Sequence, residues 1–339
     1  MALPNIVDSV ESLQALMTTP SLALIADLAA IPGDILILGV GGKMGPTLAR
    51  LAKRAAPDKR VIGVARFSEP GLQHHLVEHG IECIVADLLD QAAVRALPRT
   101  ANVIFMAGRK FGSSGREDLT WAMNAWVPAG VADTFGGSRI VAFSTACVYP
   151  FVSPQSGGAL ESSDLTPLGE YANSCVARER MFQYFSHRHQ TPGRLIRLSY
   201  AIDMRYGVLH DIARAVLSNA PVDLSMGHVN IIWQGDANTQ ALRALAHCTT
   251  PTTGLNVSGA MQSVRALALQ LGERLGKTPR FTGQESPTAW LVNCEESTRL
   301  FGPPEVPIER LLDWTAHWVA AGGVSHGKET HFSTRDGVY

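Results

Sequence analysis

The sequence predicts an α/β protein built on a doubly wound parallel sheet. Two observations carry that expectation. From residue 33 onward, short continuous apolar runs alternate with amphipathic stretches of helical period, and a glycine-rich turn joins the first run to the first helix. Apolar runs of four or five residues mark strands buried on both faces, as parallel strands are. Strand–helix alternation at this spacing implies right-handed βαβ crossovers.

Residues 1–32 read as a helical extension on the outside of the fold. Ile6, Val10, Leu13 and Leu16 recur at helical spacing, as do Leu24, Ile25 and Leu28 after a break at Pro20. Pro32-Gly33 ends the extension. Strands are expected at Ile35–Leu38, Val61–Val64, Cys83–Val85, Val103–Met106, Ile140–Phe143 and Leu195–Leu198. Helices are expected at Pro46–Ala55, Leu72–His79, Gln91–Leu97, Leu119–Ala132 and Glu170–Phe185. Residues 33–200 thus form the sheet domain. Beyond 200 the rhythm loosens: helices near 208–218, 238–247, 263–275 and 307–321 are separated by short strands at 222–224, 231–233 and 255–258. The Gly-, Ser-, His- and Thr-rich segment 322–339 reads as a mobile tail.

Composition excludes several classes. The chain has 339 residues, 46% hydrophobic and 17% charged, which suits a packed core. A net charge of −1 gives no overall field for nucleic acid or an anionic membrane. No apolar run reaches membrane-spanning length, because Asp27, Pro32 and Asp34 interrupt the most apolar stretch. The first residues lack the basic segment of a secretion signal. Five dispersed cysteines without a close pair suit a reducing compartment, so the cytoplasm is expected. No His, Cys and carboxylate set has metal-ligand spacing.

Gly39-Val40-Gly41-Gly42-Lys43-Met44-Gly45 follows the first strand and opens a helix. Glycines at 39, 42 and 45 allow a tight turn and close approach of backbone to a pyrophosphate, whose charge meets the helix N-terminus. In this context the motif is the mark of a Rossmann-type dinucleotide site. An acid at the end of the second strand would grip an NAD ribose. Here that strand ends Val64-Ala65-Arg66. Arg66, with Lys43 as a second positive charge, favours a 2′-phosphate and hence NADP(H), with NAD(H) as the alternative. A solvated loop arginine is the competing reading of Arg66.

The segment Glu170-Tyr171-Ala172-Asn173-Ser174-Cys175 resembles the Tyr-x-x-Ser-Lys helix of the extended short-chain dehydrogenase/reductase family, which includes sugar-nucleotide epimerases and dehydratases. Cys175 stands where that family has its catalytic lysine. The resemblance runs from about residue 33 to 320. It implies a Rossmann domain at 33–200, completed by parts of 225–260. It further implies a small, interleaved substrate-binding cap, mostly 201–321. It gives Asp87 and Leu88 to the adenine, and Ala107 and Gly108 to the cofactor. Phe143-Ser144-Thr145-Ala146-Cys147-Val148-Tyr149 resembles the Ser-Ser-x-x-Val-Tyr segment, with Thr145 as the hydroxyl that orients the substrate. Capping a strand end is the plainer role for Thr145. Asn124 corresponds to an asparagine that can hold a relay water; a buried structural asparagine is the alternative. Tyr200 lies in a segment resembling the nicotinamide lining. A homodimer through helices 119–132 and 170–185 is also implied.

Tyr171 would then be the proton-transfer group. A free tyrosine has a pKa of about 10, so without a cation only about 0.1% is phenolate at pH 7. Cys175 lies one turn along the same face and cannot supply that charge. It reads as a buried, inert thiol, with covalent catalysis as the alternative. Arg178 and the Arg109-Lys110 pair are the remaining cations; each is assigned first to the surface or to substrate binding. The expected function is an NAD(P)-dependent oxidoreductase or epimerase acting on a sugar-like, polyhydroxylated or acidic small molecule. Two alternatives stand: a weakly catalytic dinucleotide sensor, and proton-transfer isomerisation without net redox change.

Overall fold

A computed structural model describes residues 3–110, 112 and 115–338 of the chain. Seven parallel strands form its central sheet: β1 (Ile35–Leu38), β2 (Val61–Ala65), β3 (Glu82–Val85), β4 (Asn102–Phe105), β5 (Arg139–Thr145), β6 (Gly193–Leu198) and β7 (Thr253–Val257). Their order is β7-β6-β5-β4-β1-β2-β3. The order reverses beside β1, which pairs with β2 on one edge and β4 on the other. In open α/β sheets, ligands settle in the crevice at such a switch point, beyond the carboxyl ends of the strands.

All four residues of β1 are buried, as its unbroken apolar run requires. The helices are α1 (Val10–Met17), α2 (Leu22–Ala30), α3 (Gly45–Ala55), α4 (Leu72–Glu78), α5 (Gln91–Ala96), α6 (Glu117–Trp121), α7 (Val127–Thr134) and α8 (Gly169–His189). The Asp90 carboxylate caps α5 by accepting from the amides of Ala92 and Ala93. The extension is a pair of helices bent by 51° at the break between them, with Leu13 and Met17 of α1 and Leu24 and Leu28 of α2 buried. Among the described residues no single helix is long and apolar enough to cross a membrane.

Three expectations change. The continuous helix expected over Leu119–Ala132 is interrupted by a π-turn at Ala122–Trp126 between α6 and α7. Pro128 lacks the amide that would bond back to residue 124, so the ladder widens there. The tail expected to be loose is packed. The Arg335 guanidinium donates to the Thr288 carbonyl at 2.7 Å and lies 4.1 Å over the Phe151 ring. The Thr330 hydroxyl donates to Asp211 at 2.6 Å, and Gly337 presses on the Leu168 backbone. Helix Glu295–Phe301 and short strands at 201–202, 261–263 and 280–282 add to the elements expected beyond 200.

Candidate active site

Two adjoining cavities lie beyond the carboxyl ends of the strands and share Gly42 and Met106 on their walls. The glycine loop explains the shape of the junction. Gly39 has φ +90°, and a Cβ there would fall 2.6 Å from the Ala107 nitrogen. A Cβ on Gly45 would fall 2.2 Å from the Val40 carbonyl oxygen, so α3 can start beneath the loop only because residue 45 is glycine. Gly42 is different: a Cβ there would meet nothing closer than the Gly39 oxygen at 3.5 Å. The protein itself does not demand a glycine at 42; the space it leaves belongs to the cavities. Met44 precedes α3 with no side-chain cap, and Pro46 takes the first turn, so the remaining first-turn amides have no side-chain partner there. These features fit a dinucleotide pyrophosphate.

The first cavity carries most of the expected adenosine-end residues. Gly39, Arg66, Asp87, Leu88, Ala107 and Gly108 all line it. Arg66 is exposed at its edge, and Glu69 shares that wall. Lys43 is not there. Gly41 is the loop residue that meets Ala65, at 3.2 Å for a built Cβ, and the Lys43 side chain lines the other cavity. Its ammonium donates to the Ala201 carbonyl at 3.0 Å and sits 4.1 Å from the centre of the Tyr206 ring. Burial lowers its pKa to about 8, with Asp203 opposing the shift. The charge sequence reasoning placed beside Arg66 therefore lies at the opposite end.

The second cavity, about 300 Å³, is walled by the expected Met44, Thr145, Tyr171 and Tyr200 and by Lys43, Lys110, Cys147, Tyr206 and Trp290. Thr145 ends β5, and its hydroxyl accepts from the Cys147 amide at 3.2 Å. It lines the same cavity as Tyr171. Burial pushes the Tyr171 phenol well above its usual value; the Arg178 charge and the Thr145 hydroxyl act against that rise. Tyr200 is likewise pushed up by burial. The Cys175 thiol rises to about 11, also through burial, and stays neutral near pH 7.

Asn124 has no capacity left for a water. Its Oδ1 accepts from the Arg109 amide (2.9 Å) and Arg178 Nη2 (2.6 Å), while its Nδ2 donates to the Arg109 carbonyl (2.8 Å) and Ser174 Oγ (2.9 Å). Those four bonds use the amide fully. The structural alternative for Asn124 is the one observed. Arg178, assigned from sequence to the surface or the substrate, is buried, and its Nη1 donates to the Phe143 carbonyl at 2.8 Å. Arg205 pairs with Asp203 at 2.7 Å.

Sequence reasoning missed a buried network behind the cavity. Glu179, two turns beyond Tyr171 on α8, accepts from Ser144 Oγ at 2.6 Å and pairs with Arg197 at 2.8 Å. Arg197 also donates to the Tyr149 hydroxyl, which donates to Asn256 Oδ1 on β7 at 2.8 Å. The four-residue spacing of Tyr171, Cys175 and Glu179 was a usable signal. Tyr206 and Trp290 had none, because no motif surrounds them.

The family model for the NAD dependent epimerase/dehydratase family matches residues 35–224. The chain belongs to the NAD-dependent epimerase/dehydratase family. No curated relative matches it in sequence. Among solved structures, it is similar to a dTDP-glucose 4,6-dehydratase from Bacillus anthracis in complex with NAD. That match has 14% identity and a TM-score of 0.71, and covers 84% of this chain and 96% of that one. A UDP-glucose 4-epimerase from Thermotoga maritima with UDP-glucose has 16% identity and a TM-score of 0.69, covering 84% and 98%. A UDP-glucuronic acid 4-epimerase from Bacillus cereus, in complex with UDP-glucuronic acid and NAD, gives the same four values. At these identities the likeness is one of fold. The family match and the sheet order are those the resemblance implied.

Proposed function

We propose that this family member is an NADP(H)-dependent oxidoreductase or epimerase acting on a small, sugar-like or acidic substrate. The observation that carries the reading is that Tyr171 and Thr145 stand together on the wall of a cavity that shares Gly42 with the nucleotide cleft. A bound nicotinamide would supply hydride exchange. The chain supplies the rest. Thr145 orients a substrate oxygen, and Tyr171, neutral at pH 7, holds a proton for it. Tyr200, Tyr206 and Trp290 give flat aromatic surface that suits one face of a sugar ring, and Lys43 suits its hydroxyls or a carboxylate. The test is a screen of sugar nucleotides and hexuronates with NADP+ and NAD+, followed by nicotinamide absorbance and product chromatography. Absence of both nucleotide binding and turnover would refute the reading.

Arg66 supports the NADP(H) preference, since its guanidinium borders the adenosine end. Arg66→Asp is expected to weaken NADP+ at least tenfold relative to NAD+ in a titration, reflecting loss of a charge-assisted contact of about 1.5–3 kcal/mol. An unchanged ratio would remove the 2′-phosphate assignment and leave Glu69 as the determinant on that wall. We propose also that a second copy docks on α6, the π-turn and α8, where Trp121, Trp126 and Tyr184 are exposed. The molar mass in solution decides it, a monomer being the contrary result.

A further inference from the structure

We propose that Lys110, from the loop after β4, supplies the ammonium that α8 lacks at Cys175, facing Tyr171 and holding the ribose at the nicotinamide end of a bound dinucleotide. The inference rests on the dinucleotide reading above and deepens it. Lys110 Nζ lies 5.8 Å from the centre of the Tyr171 ring. The side chain lines the same cavity as Thr145, Cys147 and Tyr171. Burial lowers the Lys110 pKa, and an anionic group beside it would offset that shift.

The loop is built to present it. Asn124 grips both the amide and the carbonyl of Arg109, the residue just before Lys110. Arg178 in turn grips Asn124. Arg178 is the competing cation on α8, but its guanidinium is engaged with Phe143 and Asn124, and a Cβ on Gly108 would fall 2.4 Å from it. It backs the helix and fixes the loop, and its charge reaches Tyr171 from behind the cavity wall rather than from within the cavity. Lys43 is held against Ala201 and Tyr206, in the field of Asp203. Charge that the family carries on one helix is thus divided here between a helix arginine behind the cavity and a loop lysine in it.

The test compares NADP+ with adenosine 2′,5′-bisphosphate, which lacks the nicotinamide half; NAD+ and ADP are run in parallel. Lys110→Met should weaken the dinucleotide about tenfold to a hundredfold, the size of one charged hydrogen bond, and leave the adenosine fragment unchanged. Lys110→Arg should fall between the two, and adding Cys175→Lys to Lys110→Met should restore most of the loss. Wild-type dinucleotide affinity in Lys110→Met overturns the proposal. So does an equal loss for dinucleotide and fragment, which would mean a merely structural lysine. Failure of the wild-type chain to bind either dinucleotide overturns the parent reading instead, and is seen before any variant is made.

Discussion

Tyr171→Phe is expected to lower kcat by about 10²- to 10⁴-fold, the usual worth of a positioned acid or base, while nucleotide affinity stays within about twofold. The substitution removes one oxygen from a half-buried side chain and leaves the ring that lines the cavity. The wild-type pH profile should show the same group. Burial raises the phenol well above 10 in the free protein, so it is protonated at neutral pH and ready as a donor for carbonyl reduction. Alcohol oxidation needs the phenolate, so its rate should climb as pH rises into the alkaline range. A Phe variant retaining more than about a tenth of the activity would move the proton donor elsewhere.

Glu179→Ala should give the largest loss of stability, about 3–5 kcal/mol, because it leaves the Arg197 guanidinium buried without its carboxylate. Melting should fall by on the order of 5–10 °C for a chain of this size. Glu179→Gln, which keeps an acceptor for Ser144, should lose less. The effect reaches the site because Glu179 ties β5, through Ser144, to the helix that carries Tyr171. Thr145 is the next residue along that strand. A melting point unchanged by Glu179→Ala would mean that the pair does not hold these two elements together.

The sheet was legible because its central strands are short apolar runs buried on both faces, as the burial of every residue in β1 and β4 shows, whereas the edge strand β3 is half exposed. The glycine loop was legible because its steric demands at Gly39 and Gly45 are local. Lys43 was misplaced because loop direction is set by which residue meets Ala65, a contact between separate strands. Asn124 and Arg178 were misread for a related reason. Their partners, Arg109 and Phe143, come from the loop after β4 and from β5, and spacing along the π-turn or α8 carries no record of them. The tail resembled mobile text in composition, yet Arg335 finds Phe151 and Thr288, residues far away in the chain.

The outermost strand has a consequence for biosynthesis. Asn256 on β7 receives the Tyr149 hydroxyl across a sequence separation of 107 residues. A nascent chain that has emerged as far as β6 therefore holds six of its seven strands and Arg197, one partner of Tyr149, but lacks Asn256, the other. Chaperones and proteases meeting the chain on the ribosome would find the segment around Tyr149 only half secured, and its full protection should arrive late, when β7 clears the exit tunnel.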